Sequence, residues 1–185
     1  MTRWLLMGLL ATTAPSHEWT DGKLSAAGLI GYGIGFDSPN AYGLGFGVRG
    51  GYTFPDYTFP VQVYVGVSFL YYLGNSQSVP LIGSSSRVRT WTLMAEFGND
   101  LVVGPVEVRP FLGLGIGVFG GGVGAVSSST AYFGLTPGAV ATYSFNGPLS
   151  TGPFVGVDIH ITWLPSTDAF IATDLSLLAT GGYRF

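Results

Sequence analysis

From Leu24 onward the chain alternates apolar and polar or small residues with a period of two. Ile30, Tyr32, Ile34 and Phe36 have Gly31, Gly33 and Gly35 between them. Beyond Asp37–Asn40, Tyr42, Leu44, Phe46 and Val48 alternate with Gly43, Gly45, Gly47 and Arg49. A turn signal at Thr53–Asp56 precedes Val61, Val63, Val65, Val67, Phe69 and Tyr71, and a polar stretch, Gly74–Ser86, follows. Trp91, Leu93, Ala95 and Phe97 make a fourth segment, which Asn99–Asp100 and Gly104–Pro105 end. The fifth carries Val106, Val108, Leu112, Leu114, Ile116 and Val118. A Gly/Ser stretch, Gly120–Thr130, leads to the sixth: Phe133, Leu135, Ala139, Ala141, Tyr143 and Phe145. After Asn146–Pro148, Val155, Val157, Ile159, Ile161 and Trp163 form the seventh, and Pro165–Asp168 turns into the eighth, from Ile171 to Phe185. Side chains of a strand alternate between two faces, so this pattern predicts eight strands, each with one apolar face. No segment follows the helical repeat of 3.6.

Composition decides what those faces meet. Charged residues are 9% of the 185, glycine numbers 30 and aromatics reach 15%, with mean hydropathy +0.44. That is too few charges to cover an ordinary soluble surface and too much apolar content for disorder. A membrane helix needs about 18 or more apolar residues in a row, and the longest run here is Trp4–Ala11. Only a closed barrel can otherwise satisfy its backbone in lipid. The expected fold is an all-β, eight-stranded antiparallel up-and-down transmembrane barrel over residues 21–185. Residues 1–20 read as a secretory signal or an N-terminal tail: Arg3, an apolar middle, then Ala11-Thr12-Thr13-Ala14.

Charge placement sharpens the reading. Arg49, Glu96, Glu107, Arg109, Asp158, Asp174 and Arg184 all fall on the polar parity of their strands. A soluble barrel would show the reverse, whereas a mid-bilayer charge on the lipid face costs about 2–4 kcal/mol. Arg87 and Arg89 share the parity of Trp91 but stand at a strand start, where lipid headgroups and solvent meet. Trp91, Trp163, Tyr143, Phe145, Tyr183 and Phe185 lie near strand ends at outward parity and suit interfacial girdles. Pro110 and Pro137 interrupt the outward pattern; Pro137, mid-strand, predicts a bulge or a shifted register.

The last strand ends Leu177, Ala179, Gly181, Tyr183, Phe185. This resembles the closing strand of Gram-negative outer-membrane barrels. The chain from about Leu24 to Phe185 resembles their small eight-stranded class: the OmpA barrel domain, OmpX, OmpW and opacity-type proteins. The resemblance implies an outer-membrane location, contact with outer-membrane lipid and lipopolysaccharide, and recognition of the strand ending at Phe185 by the barrel assembly machinery. A monomer is expected.

Eight strands enclose a space that side chains can fill. Bulk from Gln62, Tyr64, Tyr72, Met94 and Phe111 faces glycine-rich strands. Arg49, Glu96, Glu107, Arg109 and Arg184, placed toward the periplasmic strand ends, are expected to form an ion-pair network with Asp158, His160 and Asp174, since buried charges need partners. The leading function is a structural or surface-interaction barrel without enzymatic activity. A narrow solute channel is the first alternative, and a soluble ligand-binding barrel is a weaker one. A lipid hydrolase is another, because His160, Thr162 and Asp174 share the inward parity. Their spacing resembles the lipid A deacylase barrels, with Thr162 in place of serine and Asp174 in place of glutamate. No catalytic, cofactor or metal residue is assigned. There is no cysteine, and His17 and His160 lack ligand-spaced neighbours. A single lysine and a net charge of −3 argue against nucleic acid.

Overall fold

The computed structural model describes residues 22–36, 41–55, 62–74, 76–79, 84–123, 126–165 and 171–185. The N-terminal signal or tail expectation, His17, and the turns at Asp37–Asn40 and 166–168 lie outside them. Nine strands are present among the described residues: β1 (Lys23–Gly35), β2 (Gly43–Thr53), β3 (Gln62–Tyr72), β4 (Ser76–Val79), β5 (Ser84–Val103), β6 (Val106–Val123), β7 (Val126–Ser144), β8 (Gly152–Pro165) and β9 (Ile171–Arg184). Eight of them close an antiparallel barrel. β9 returns to β1, with Ser25 opposite Arg184 and Tyr32 opposite Leu177, and β3 pairs β5, with Ser68 opposite Met94. The ninth, β4, adds only a short ribbon to the upper part of β5.

The two faces divide as the alternation requires. Ile30, Phe46, Val67, Phe97, Leu112, Ile159 and Leu177 stand exposed on the outer wall, while Arg49, Glu96, Glu107, Asp158, Asp174 and Arg184 are buried inside. Near the barrel end that carries the turns at Gly104 and Asn146, Tyr143 packs on Phe145 and Tyr183 on Phe185, ring centroids 5.6 and 5.0 Å apart. Trp91, against Phe69, and Trp163 lie toward the other end. Along β8, from Pro153, opposite Tyr183, to Trp163 is ten residues. That is about 33 Å of strand, or about 25 Å of height at a tilt near 40°, matching the apolar band of an outer-membrane barrel.

Several boundaries differ from the sequence expectation. Asn99 and Asp100 do not turn the chain; β5 runs on to Val103 and the turn is at Gly104–Pro105. Paired backbone overrides the turn preference of an Asn-Asp dipeptide. Gly120–Thr130 is not an open loop, because β6 and β7 stay paired to Val123 opposite Val126. The polar stretch from Gly74 likewise holds β4 and the start of β5. Pro137 makes neither bulge nor slip. The ladder to β8 has the same register on both sides of it, Leu135 opposite Trp163 and Gly138 opposite His160.

Large side chains fill the lumen where glycine makes room. A Cβ at Gly33 would meet the Tyr72 ring at 2.8 Å, and one at Gly117 would meet Leu164 at 2.6 Å. Leu164 and Leu178 join this packing as their inward parity implies, but Tyr42, expected on the outer face with Leu44, Phe46 and Val48, is buried inside: it precedes β2, and Gly43, with φ 111°, breaks the alternation between it and Leu44.

Candidate functional site: the lumen and the external sheet

The polar lumen is layered. At the turn end, Glu107 on β6 receives Arg184 from β9, Nη1 to Oε1 at 2.9 Å and Nη2 to Oε2 at 2.5 Å. The Ser144 hydroxyl donates to it at 2.8 Å, and the Leu149 amide at 2.5 Å. Leu149 takes a left-handed backbone, φ 55°, and turns a buried side chain inward, so the connection after β7 helps close this end. Beside it, Arg109 donates through Nε and Nη2 to Asp100 at 2.6 and 3.0 Å, and Thr53 donates to the same carboxylate at 2.7 Å. The Arg109 guanidinium lies 3.5 Å from the Tyr64 ring centroid.

One layer deeper, Arg49 bridges Glu96 (2.8 Å) and Asp158 (2.5 Å), and Asp158 also holds His160 Nδ1 at 2.6 Å. Arg49 and Glu96 therefore sit with Asp158 at mid-barrel, not at the strand ends. The Arg49 guanidinium also stands 4.9 Å from the Phe111 ring centroid. Asp174 belongs to a separate group near the other end. Ser176 Oγ donates to it at 2.6 Å and contacts the Tyr72 hydroxyl at 2.6 Å.

This placement breaks up the hydrolase set. The carboxylate on His160 is Asp158, not Asp174. Asp174 instead takes hydrogen bonds from Ser176 and from its cross-strand neighbour Thr162, so the hydroxyl meets a carboxylate without the imidazole between them; Thr136 lies 3.5 Å from Thr162. All three face the lumen, away from any acyl chain, and are at most 2% exposed. Among the described residues no group of His, Cys, Asp and Glu could hold a metal.

Among the described residues, small cavities lie between the layers. One, bordered by Arg49, Arg109, Arg184, Ser25 and Thr180, has about 20 Å³ open to water centres; the other, bordered by Thr92, Thr136, His160 and Thr162, has about 10 Å³. Each holds roughly one water. Water in the second would serve His160 Nε2, which is buried and has no hydrogen-bond partner among the described residues.

Above the upper aromatics, β4, β5, β6 and β7 continue as an external sheet. Arg89 is exposed there, one strand position pair above Trp91 and opposite Gly120. The Arg87 side chain lies outside the described residues. Sequence parity marks these arginines and turns Ser144 inward; it misses Asp100, which reads as a turn, and Leu149.

The fold is that of the small outer-membrane β-barrels. A major outer-membrane protein from Thermus thermophilus superposes with TM-score 0.65 at 15% identity, over 90% of this chain and 100% of that one. Neisserial surface protein A gives 0.60 at 14%, over 91% and 99%. Yersinia pestis Ail, solved with the heparin analogue sucrose octasulfate, gives 0.55 at 15%, over 90% and 100%. No protein-family model matches the chain, and no curated protein matches it.

Proposed function

We propose that the chain is a monomeric, integral outer-membrane barrel of a Gram-negative bacterium. Its lumen is closed by its own side chains, and it works at the cell surface through the external sheet rather than by catalysis or transport. One observation carries this reading: the outer wall is apolar while the described strand charges below the external sheet, apart from Lys23 at the exposed rim, are turned inward into ion pairs or hydrogen bonds. Such a wall suits hydrocarbon, and such a lumen leaves water-sized cavities in place of a pore. Arg89 is placed to meet anionic groups of lipid or lipopolysaccharide at the membrane surface. Binding of a sulfated saccharide analogue by Ail, a barrel of the same fold, supports an anionic partner of this kind.

The test has two arms. Purified protein in planar bilayers is expected to give no ohmic steps. Vesicles carrying anionic lipid are expected to bind the unchanged chain more tightly than a variant with Arg87→Gln and Arg89→Gln. Steady conductance would overturn the closed lumen in favour of the narrow channel, and equal binding would overturn the lipid role of the arginines.

A further inference from the structure

Charge does not balance inside the barrel. Among the described residues, Arg109 answers Asp100 and Arg184 answers Glu107, one cation to one carboxylate. Arg49 is shared by Glu96 and Asp158, and His160 stands on Asp158 as the second group there able to carry a positive charge. Asp174 is left over. It lies near the upper end of β9, fully buried, and no guanidinium, ammonium or imidazole among the described residues is paired with it. His160 is within electrostatic reach, but its Nδ1 is committed to Asp158.

What surrounds Asp174 is oxygen. Ser176 Oγ donates to Oδ2 at 2.6 Å, the Tyr72 hydroxyl stands 2.6 Å from Ser176 Oγ, and Thr162 adds its hydroxyl from across the strand pair. The Tyr42 hydroxyl faces the same carboxylate. Yet Tyr42 Oη and Asp174 Oδ1 are both buried, and neither has a hydrogen-bond partner among the described residues. Tyr42 is 0% exposed, so bulk water does not serve it.

Hydroxyl dipoles can point at a buried carboxylate, but they cannot cancel its charge, and an uncompensated buried charge is strongly destabilising. The Ser176 contact has the length of a hydroxyl bond to an ionised carboxylate, about 2.5–2.7 Å, which argues against a proton as the neutralising group. Oxygens alone are the ligands of hard cations, whereas transition metals draw on imidazole and sulfur. No three acidic or imidazole groups gather among the described residues. One carboxylate supplies one negative charge, so a divalent ion would leave a positive charge buried and a monovalent one leaves none. The complete enclosure of Asp174, Tyr42, Tyr72 and Ser176 favours a small ion.

We infer that Asp174 binds one sodium ion, with Tyr42 Oη as its second oxygen and the Thr162 and Ser176 hydroxyls around it. The ion is enclosed as the barrel closes and completes the charge balance of the lumen.

The full chain is refolded from urea into lipid vesicles in sodium chloride or in choline chloride of equal ionic strength, choline being too large for an enclosed site. Above half-saturation, each tenfold rise in sodium is expected to raise the folded-to-unfolded ratio about tenfold, or about 1.4 kcal/mol. Equilibrium dialysis with radioactive sodium is expected to find one ion per folded chain. Asp174→Asn keeps the shape and removes the charge; it is expected to bind no sodium and to be equally stable in both salts. Tyr42→Phe keeps the charge and is expected to weaken sodium about tenfold. A carboxylate serving only as a hydrogen-bond acceptor would leave the choice of salt without effect in the unchanged chain. Equal stability of that chain in the two salts, no bound sodium, sodium retained by Asp174→Asn, or unaltered affinity in Tyr42→Phe would each overturn the inference. So would a stability that ignores sodium and rises as pH falls, which would place a proton on Asp174.

Discussion

Glu107 offers the sharpest test of the lumen. Its carboxylate gathers both Arg184 terminal nitrogens, the Ser144 hydroxyl and the Leu149 amide within 2.9 Å. Glu107→Gln keeps the shape, removes the charge and leaves the guanidinium uncompensated. Breaking a buried pair from one side costs about 3–5 kcal/mol. The water-sized cavity beside Arg184 lets the cation keep some hydration, which favours the lower end, about 3 kcal/mol. Removing both partners, with Glu107→Leu and Arg184→Met, takes away the unpaired charge. It still orphans the Ser144 hydroxyl and the Leu149 amide, at about 1–3 kcal/mol each, a total of roughly 2–6 kcal/mol that brackets the cost of the single variant. The double variant is therefore expected to fall close to the single one, although it deletes more contacts. Urea unfolding in lipid vesicles, extrapolated linearly to zero denaturant, measures all three proteins. A cost below about 1 kcal/mol for Glu107→Gln, or a double variant clearly worse than the single, would refute the reasoning.

The outer wall gives a second prediction. Ile159→Arg, at an exposed mid-wall position, should lose about 2–4 kcal/mol in vesicles, whereas a water-facing wall would tolerate it within about 0.5 kcal/mol in the same unfolding assay. The glycines give a third. Gly28→Ala would put its methyl no nearer than 3.9 Å to the Gly181 carbonyl oxygen, so it should be neutral or stabilise by up to about 1 kcal/mol. Gly115→Ala would drive its methyl into the backbone of Leu93 and Met94 and should lower the urea midpoint by about 1–3 kcal/mol equivalent.

How much of this was legible in the sequence follows from what each residue had to satisfy. The eight barrel strands and the inward charges were readable because lipid outside and packed lumen inside impose one rule at every second position. The external sheet was not. Glycine and serine at 120–130 carry no facial signal, and there the paired backbone alone decides. Leu149 was illegible because its role comes from a left-handed backbone and a donated amide, neither of which a leucine advertises.

Asp100 lies between these cases. Its parity continues inward from Met94, Glu96 and Gly98, but an Asn-Asp pair close to Gly104–Pro105 carries turn chemistry, which masks the alternation. The two readings separate by mutation. An aspartate in a solvated turn is replaceable by alanine within about 0.5 kcal/mol. Here Asp100 binds Arg109 through two nitrogens and accepts from Thr53 at 2.7 Å. Arg109 is less enclosed than Arg184, with 12% of its side chain accessible against 2%, and part of its cost returns as hydration. Asp100→Ala should therefore cost about 1–3 kcal/mol, less than Glu107→Gln and well above a turn substitution. Urea unfolding in vesicles would decide: a value within about 0.5 kcal/mol of zero would return Asp100 to the solvated turn and remove Arg109 from the closure of the barrel.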